Sequence, residues 1–98
     1  MEQITYTDFK PFLNDTFRIE VNPSSLVDMD LVSVDPLGNN PEQDENQAFA
    51  VVFRSDVTDD NLLQRLYTVK HPEMGDIEAF LVSIGADEVG MRYEAVFT

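Results

Sequence analysis

Thr16-Phe17-Arg18-Ile19-Glu20-Val21 is the stretch that decides the fold. Phe17, Ile19 and Val21 alternate with Arg18 and Glu20. A period of two puts one set on each face of an extended strand, apolar inward and charged outward. Asn22-Pro23-Ser24-Ser25 follows, and its residue types end strands in turns. Met91-Arg92-Tyr93-Glu94-Ala95-Val96-Phe97 repeats the alternation near the other end of the chain.

Four more strands are predicted between these two. One runs from about Leu26 to Val34. Val27, Met29 and Leu31 share one face, with Asp28 and Asp30 opposite, and then Val32 and Val34 fall out of phase. One extra residue returns both sets to the same side, so a β-bulge is predicted near Leu31-Val32. Gln47–Arg54 carries apolar residues on both faces and predicts a strand covered on both sides. Strands are also predicted over Leu63–His71 and Asp76–Ser83, joined by His71-Pro72-Glu73-Met74-Gly75. Proline pre-sets φ and glycine accepts positive φ, so that junction is a hairpin. The last strand, Gly90–Phe97, follows the connection Gly85–Val89.

Ahead of the strands, Phe9, Phe12 and Leu13 fall at helical spacing. A short helix is expected over residues 7–13, capped by Thr7 or Asp8 and limited by Pro11, with a turn at Asn14-Asp15. Residues 35–46 hold two prolines, one glycine, three asparagines and four acids, and read as an acidic loop. Ser55–Asn61 reads as an acidic turn, with a helix start at Thr58-Asp59-Asp60. The expected fold is mainly β: one domain over residues 1–98, an antiparallel six-stranded barrel-like meander with a short N-terminal helix plugging one end through Phe9 and Phe12. A two-sheet sandwich is the alternative.

Composition narrows the function. The 98 residues include 19 acids and six bases, a formal net charge of −13. Lys10, Arg18, Arg54, Arg65, Lys70 and Arg92 are dispersed, with no two adjacent. Nucleic acid and anionic membrane both demand clustered cations, so neither is an expected partner. A protein partner, basic if the surface charge is used, is the expected one. There is no cysteine, which removes disulfides, thiolate-ligated metals and thiol catalysis. The first residues lack a basic and an apolar signal region, and the apolar run around Phe49–Phe53 is too short to span a bilayer. A cytoplasmic location is the expectation.

The residues that chemistry would need are weakly arranged. His71 is the single histidine and sits at a hairpin turn, without a nucleophile motif. Asp28 and Asp30 share a strand face, but acid–base work needs a cleft that separates their titrations. Asp56, Asp59 and Asp60 read as a solvated turn. Asp35, Asn39, Asn40, Glu42, Asp44 and Glu45 offer oxygen ligands, yet their spacing departs from the calcium-loop pattern. Gly38, Gly75, Gly85 and Gly90 are scattered and form no phosphate loop. Phe9, Phe12, Phe17, Phe49, Phe53, Tyr67, Phe80, Tyr93 and Phe97 are read as core-facing. No catalytic, cofactor-binding or metal-binding residue is assigned, and no cofactor is implied.

Four stretches resemble a small bacterial family known as a domain of unknown function. Phe9–Phe17 resembles its opening F-x-P-h-h-G-x-x-F, with Asn14 where the family carries glycine. Ala48–Arg54 is similar to F-S-h-h-F-R, and Leu66–Gly75 to x-Y-x-h-x-H-P-x-h-G, Arg65 standing where a small residue precedes it. Phe80–Gly85 followed by Met91–Phe97 is similar to F-L-V-P-h-G and Y-E-A-V-F-N, with Ser83 in place of the proline. The resemblance implies a small β domain encoded near phage-tail-collar-like proteins. Two readings go forward. The first is a non-enzymatic interaction or assembly module, accessory to a phage-tail-like system. The alternative is a small-ligand-binding or enzymatic barrel whose mouth is lined by residues 35–46, with Asp28, Asp30 or His71 contributing.

Overall fold

The computed structural model describes residues 6–37, 48–55 and 64–97. A helical turn, α1 (Tyr6–Phe9), runs into a 3-10 turn (Lys10–Phe12). Six strands follow: β1 (Thr16–Asn22), β2 (Ser25–Pro36), β3 (Phe49–Ser55), β4 (Arg65–His71), β5 (Gly75–Ala86) and β6 (Met91–Phe97). Every paired ladder is antiparallel, and the strands close into a barrel in the order β1-β2-β3-β6-β5-β4.

That order corrects the expected meander. After β3 the chain does not place β4 beside it. It crosses to the far side, where β4 pairs with β1, and returns through β5 so that β6 closes against β3. The spatial run β4-β1-β2-β3 is a Greek key. Alternation fixes which face of a strand is buried but carries no information about which strand lies beside it.

The interior is filled by the inward set of each strand. Phe17 and Ile19 from β1, Met29 and Leu31 from β2, Phe49, Val51 and Phe53 from β3 are all buried. Tyr67 and Val69, Ile77, Ala79 and Leu81, Tyr93 and Ala95 complete the lining. Phe9 enters from the end where β1 and β3 begin and β6 finishes. Its ring lies 6.1 Å from Phe17, 5.8 Å from Phe49 and 5.4 Å from Phe97. The expected plug is therefore present. It starts one residue before the expected helix and tightens to a 3-10 turn at Pro11, which lacks the N–H that a longer helix needs.

Asn14 carries the chain from plug to barrel at φ 77°. Its N–H donates to the Leu31 carbonyl at 2.7 Å, and Leu31 N–H donates to the Asp15 carbonyl at 2.9 Å. Asparagine tolerates the left-handed region better than most other residues with a side chain.

Register irregularities curve the wall. The predicted bulge is found: Leu31 pairs with Phe53 and Ser33 with Val52, leaving Val32 extra, and Val34 returns to pack on the core. A second shift, between Ser83 and Gly85 opposite Tyr93 and Arg92, was not anticipated. It lets β5 continue to Ala86 where the sequence pattern stops at Ser83, and Gly85 takes φ 97° there. β3 is only partly covered on its outer side: Ala50 is buried and Val52 half-buried. The expected loop at 35–46 begins later, because Asp35 and Pro36 belong to β2, and Ser55 of the expected turn Ser55–Asn61 belongs to β3; positions 38–46 and 56–61 lie outside the described residues.

Truncation of Phe17 to alanine is expected to cost about 3–5 kcal/mol in urea unfolding, since its ring touches both plug and wall. Asn14→Ala is expected to cost about 1–2 kcal/mol at its positive φ. Asn14→Gly should leave the midpoint nearly unchanged.

Candidate functional site

Packing of the inward side chains puts every described polar cluster on the barrel exterior or its rim. The cations that are dispersed in sequence become neighbours across strands. Arg18 lies opposite Lys70, and Arg54 opposite Arg92. Like charges placed directly opposite repel, and acids offset the first pair. The outer row runs Asp76, Lys70, Arg18, Asp28 across β5, β4, β1 and β2. Lys70 Nζ is 3.2 Å from Asp76 and 3.6 Å from Glu20, and Arg18 is 3.6 Å from Asp28. The hydrogen bond and charge of Asp76 raise the Lys70 pKa from its ordinary value, with Glu20 adding to them against a smaller desolvation effect.

A groove of about 470 Å³ follows this row, lined by Thr16, Arg18, Leu26, Asp28, Lys70, His71 and Pro72. A smaller depression of about 160 Å³ adjoins Thr16, Asp28, Asp30 and Arg54. Asp28 and Asp30 do share a face, but it is the outer one, not the barrel mouth. Asp30 accepts a hydrogen bond from the Thr16 hydroxyl at 2.8 Å. The barrel interior is filled by the aromatic core, and residues 38–46 of the mouth lining in the alternative reading lie outside the described residues.

His71 ends β4 with its side chain almost wholly buried. Its ring sits 4.6 Å from Phe12 and 4.5 Å from Phe17. The N–H groups of Glu73 and Met74 donate to Nδ1 at 3.1 and 3.3 Å. Nδ1 is thereby the acceptor, so in the neutral ring the hydrogen is on Nε2, which donates to Asp15 at 3.1 Å. Both nitrogens are committed to holding the β4–β5 hairpin and the plug together. Asp15 was missed as a partner because 56 positions separate it from His71.

Asp87 is the other residue that the sequence did not single out. One oxygen accepts N–H bonds from Val89 and Gly90, both at 2.9 Å, and the other meets Arg54 at 3.1 Å. These backbone bonds first, and then Arg54, lower its pKa from 3.8 to about 2. The carboxylate ties the β5–β6 turn to β3. Gly75 closes the β4–β5 hairpin at φ 79°.

One sequence expectation about aromatics fails, and it concerns the surface. Phe80 does not face the core. The inward residues of β5 are Ile77, Ala79 and Leu81, so Phe80 is on the opposite face and 47% exposed. Leu66, its direct partner on β4, is 56% exposed. Val96, two residues beyond the Val82–Glu94 pair as Phe80 is on the other strand, is 50% exposed and pairs with Ala50 on β3. Val82 and Val52, both half-buried, flank Glu94 in the next row. The outer wall over β4, β5, β6 and β3 therefore carries a band of exposed and half-buried apolar side chains.

A family model described as a domain of unknown function, DUF6916, matches residues 4–97. The chain belongs to that family. Comparison with curated proteins and with solved structures finds no match. For this DUF6916 member the described residues include no cluster of three or more His, Asp or Glu able to hold a metal ion, and no helix among them is long and apolar enough to cross a membrane. Asn39, Asn40, Glu42, Asp44 and Glu45, named above as oxygen ligands, lie outside the described residues, as do Asp56, Asp59, Asp60 and Gly38; Asp35 is exposed at the end of β2.

Two outcomes are expected. His71→Ala strands two N–H donors and opens space between Phe12 and Phe17, so urea unfolding should show a loss of about 2–4 kcal/mol. Asp87 has a lowered folded pKa; its contribution is present above the ordinary value of 3.8 and disappears as pH falls through about 2. Asp87→Asn should lower stability at neutral pH and flatten the acid limb between those values, read as unfolding midpoint against pH.

Proposed function

We propose that this domain is a non-enzymatic interaction or assembly module, working through the outside of its barrel. The observation that carries the reading is the outward Phe80 within the Leu66–Phe80–Val96 band. Fully burying an exposed apolar side chain is favourable by about 1.5–3 kcal/mol, and these half-exposed ones leave part of that gain unused in a lone barrel. Contiguous apolar surface of this kind marks binding faces, whereas singly exposed residues such as Leu13 or Val89 need no account. The family resemblance, with its phage-tail-collar-like neighbourhood, supports an accessory or assembly role in such a system.

A ligand-binding reading has one favourable observation, the groove beside Arg18 and Lys70. Against it, Arg18, Lys70, His71 and Asp28 there already face partners within the fold. A reacting group needs an unengaged base or donor near the substrate, and these side chains hold the wall.

Affinity capture from the native host separates the readings. A protein retained at physiological salt by the wild-type domain should be lost with Phe80→Asp or Val96→Asp, at an unchanged unfolding midpoint, and kept with Lys70→Ala. Loss with Lys70→Ala alone would move the function to the groove.

A further inference from the structure

We propose that the β4–β5 hairpin is a proton-operated catch: when His71 takes up a proton, the Pro72–Met74 turn opens while the ring stays tied to Asp15. The geometry at the two ring nitrogens carries this. Nδ1 receives the N–H of Glu73 at 3.1 Å and that of Met74 at 3.3 Å. A backbone N–H can only donate, so Nδ1 offers its lone pair and carries no hydrogen in this arrangement. Nε2 holds the ring hydrogen and donates it to Asp15 at 3.1 Å.

A proton added to the neutral ring must therefore go onto Nδ1. Three donors then converge on one point, and both backbone N–H groups lose their acceptor. At Nε2 the opposite happens, because its bond to the Asp15 carboxylate becomes charge-assisted. One event thus weakens the turn's side of the ring and strengthens the other side. The ring has little room to escape the conflict by moving. Its side chain is 4% exposed, and the Phe12 and Phe17 rings stand 4.6 and 4.5 Å from it. Turning the ring over would also take Nε2 away from Asp15. The exposed turn is the part that yields.

Among the described residues, Asp15 is the charged group paired with the ring. From the plug and β1 the ring meets Phe12 and Phe17, and across the ladder to β5 its partner is Gly75. Glu73 is exposed and meets the ring through its N–H. Lys70 and Arg18 are paired on the outer face with Asp76, Glu20 and Asp28. Opening the turn has two consequences. Met74, half-buried against the core, loses the bond that holds its backbone, and Pro72, which lines the groove beside Arg18 and Lys70, is freed to move. The catch therefore couples acidity to the shape of that groove. It stands apart from the reading proposed for the Leu66–Phe80–Val96 band.

Nitrogen-15 NMR of the full chain between about pH 8 and about pH 5 tests this, because the ring nitrogen shifts report the protonation of His71 directly. Amide protection of Glu73 and Met74, corrected for the intrinsic exchange rate, should fall by about tenfold or more in step with the ring. Protection of Asn14 and Leu31, which bond to each other's neighbourhood beyond Asp15, should hold. Asp15→Asn removes the carboxylate that favours the charged ring, so the ring and turn events should move together to lower pH. His71→Gln should abolish the acid response of the two amides. A ring that protonates while the turn keeps its protection, a ring that stays neutral until the barrel unfolds, or a loss shared equally by Asn14 and Leu31 would overturn the inference. An acid response that survives in His71→Gln would do the same.

Discussion

Everything in this barrel depends on one packing constraint: the inward aromatic rings must fill a closed wall from both its sides and its end. Phe17, Phe49 and Phe53 reach in from β1 and β3, and Phe9 descends on them from the plug. Phe49 and Phe97 stack at 5.1 Å near the same rim. A ring removed there leaves a void that rigid strands close only in part. The plug is thus a component of the core, although α1 is only four residues long.

That constraint explains where the polar groups went. With the interior occupied, charged side chains line the exterior, and their pairings follow strand register instead of sequence order. The Asp76-Lys70-Arg18-Asp28 row is one such product. His71 is the exception that enters the core, and it does so with both ring nitrogens hydrogen-bonded. A buried polar group without partners would be costly; here Asp15 and two backbone N–H groups supply them.

The exterior is uneven. On the β1–β2–β4 side, acids and bases neutralise one another. Over β4, β5 and β6, Leu66, Phe80 and Val96 stand half-exposed on the outer face. A wall of uniform polarity would suffice for solubility. The contrast between its two sides, more than any single residue, is what supports an interaction role over catalysis.

Alternation in Thr16–Val21 and Met91–Phe97, the phase slip at Val32, the Pro72–Gly75 turn and the spacing of Phe9 and Phe12 were legible from the residues alone, because each is a local consequence of backbone geometry. Local patterning by itself therefore determined strands, turns, the first bulge and the presence of a plug. The sequence reading counts Phe80 among the core-facing aromatics, yet Ile77, Ala79 and Leu81 hold the inward positions of β5 and leave it outside. Only the tertiary structure decided that β4 pairs with β1, that His71 meets Asp15, that Arg54 meets Asp87, and that Leu66, Phe80 and Val96 form one surface. Those are contacts between distant segments, and a two-residue period specifies a side chain's face while leaving its neighbour across the sheet undetermined.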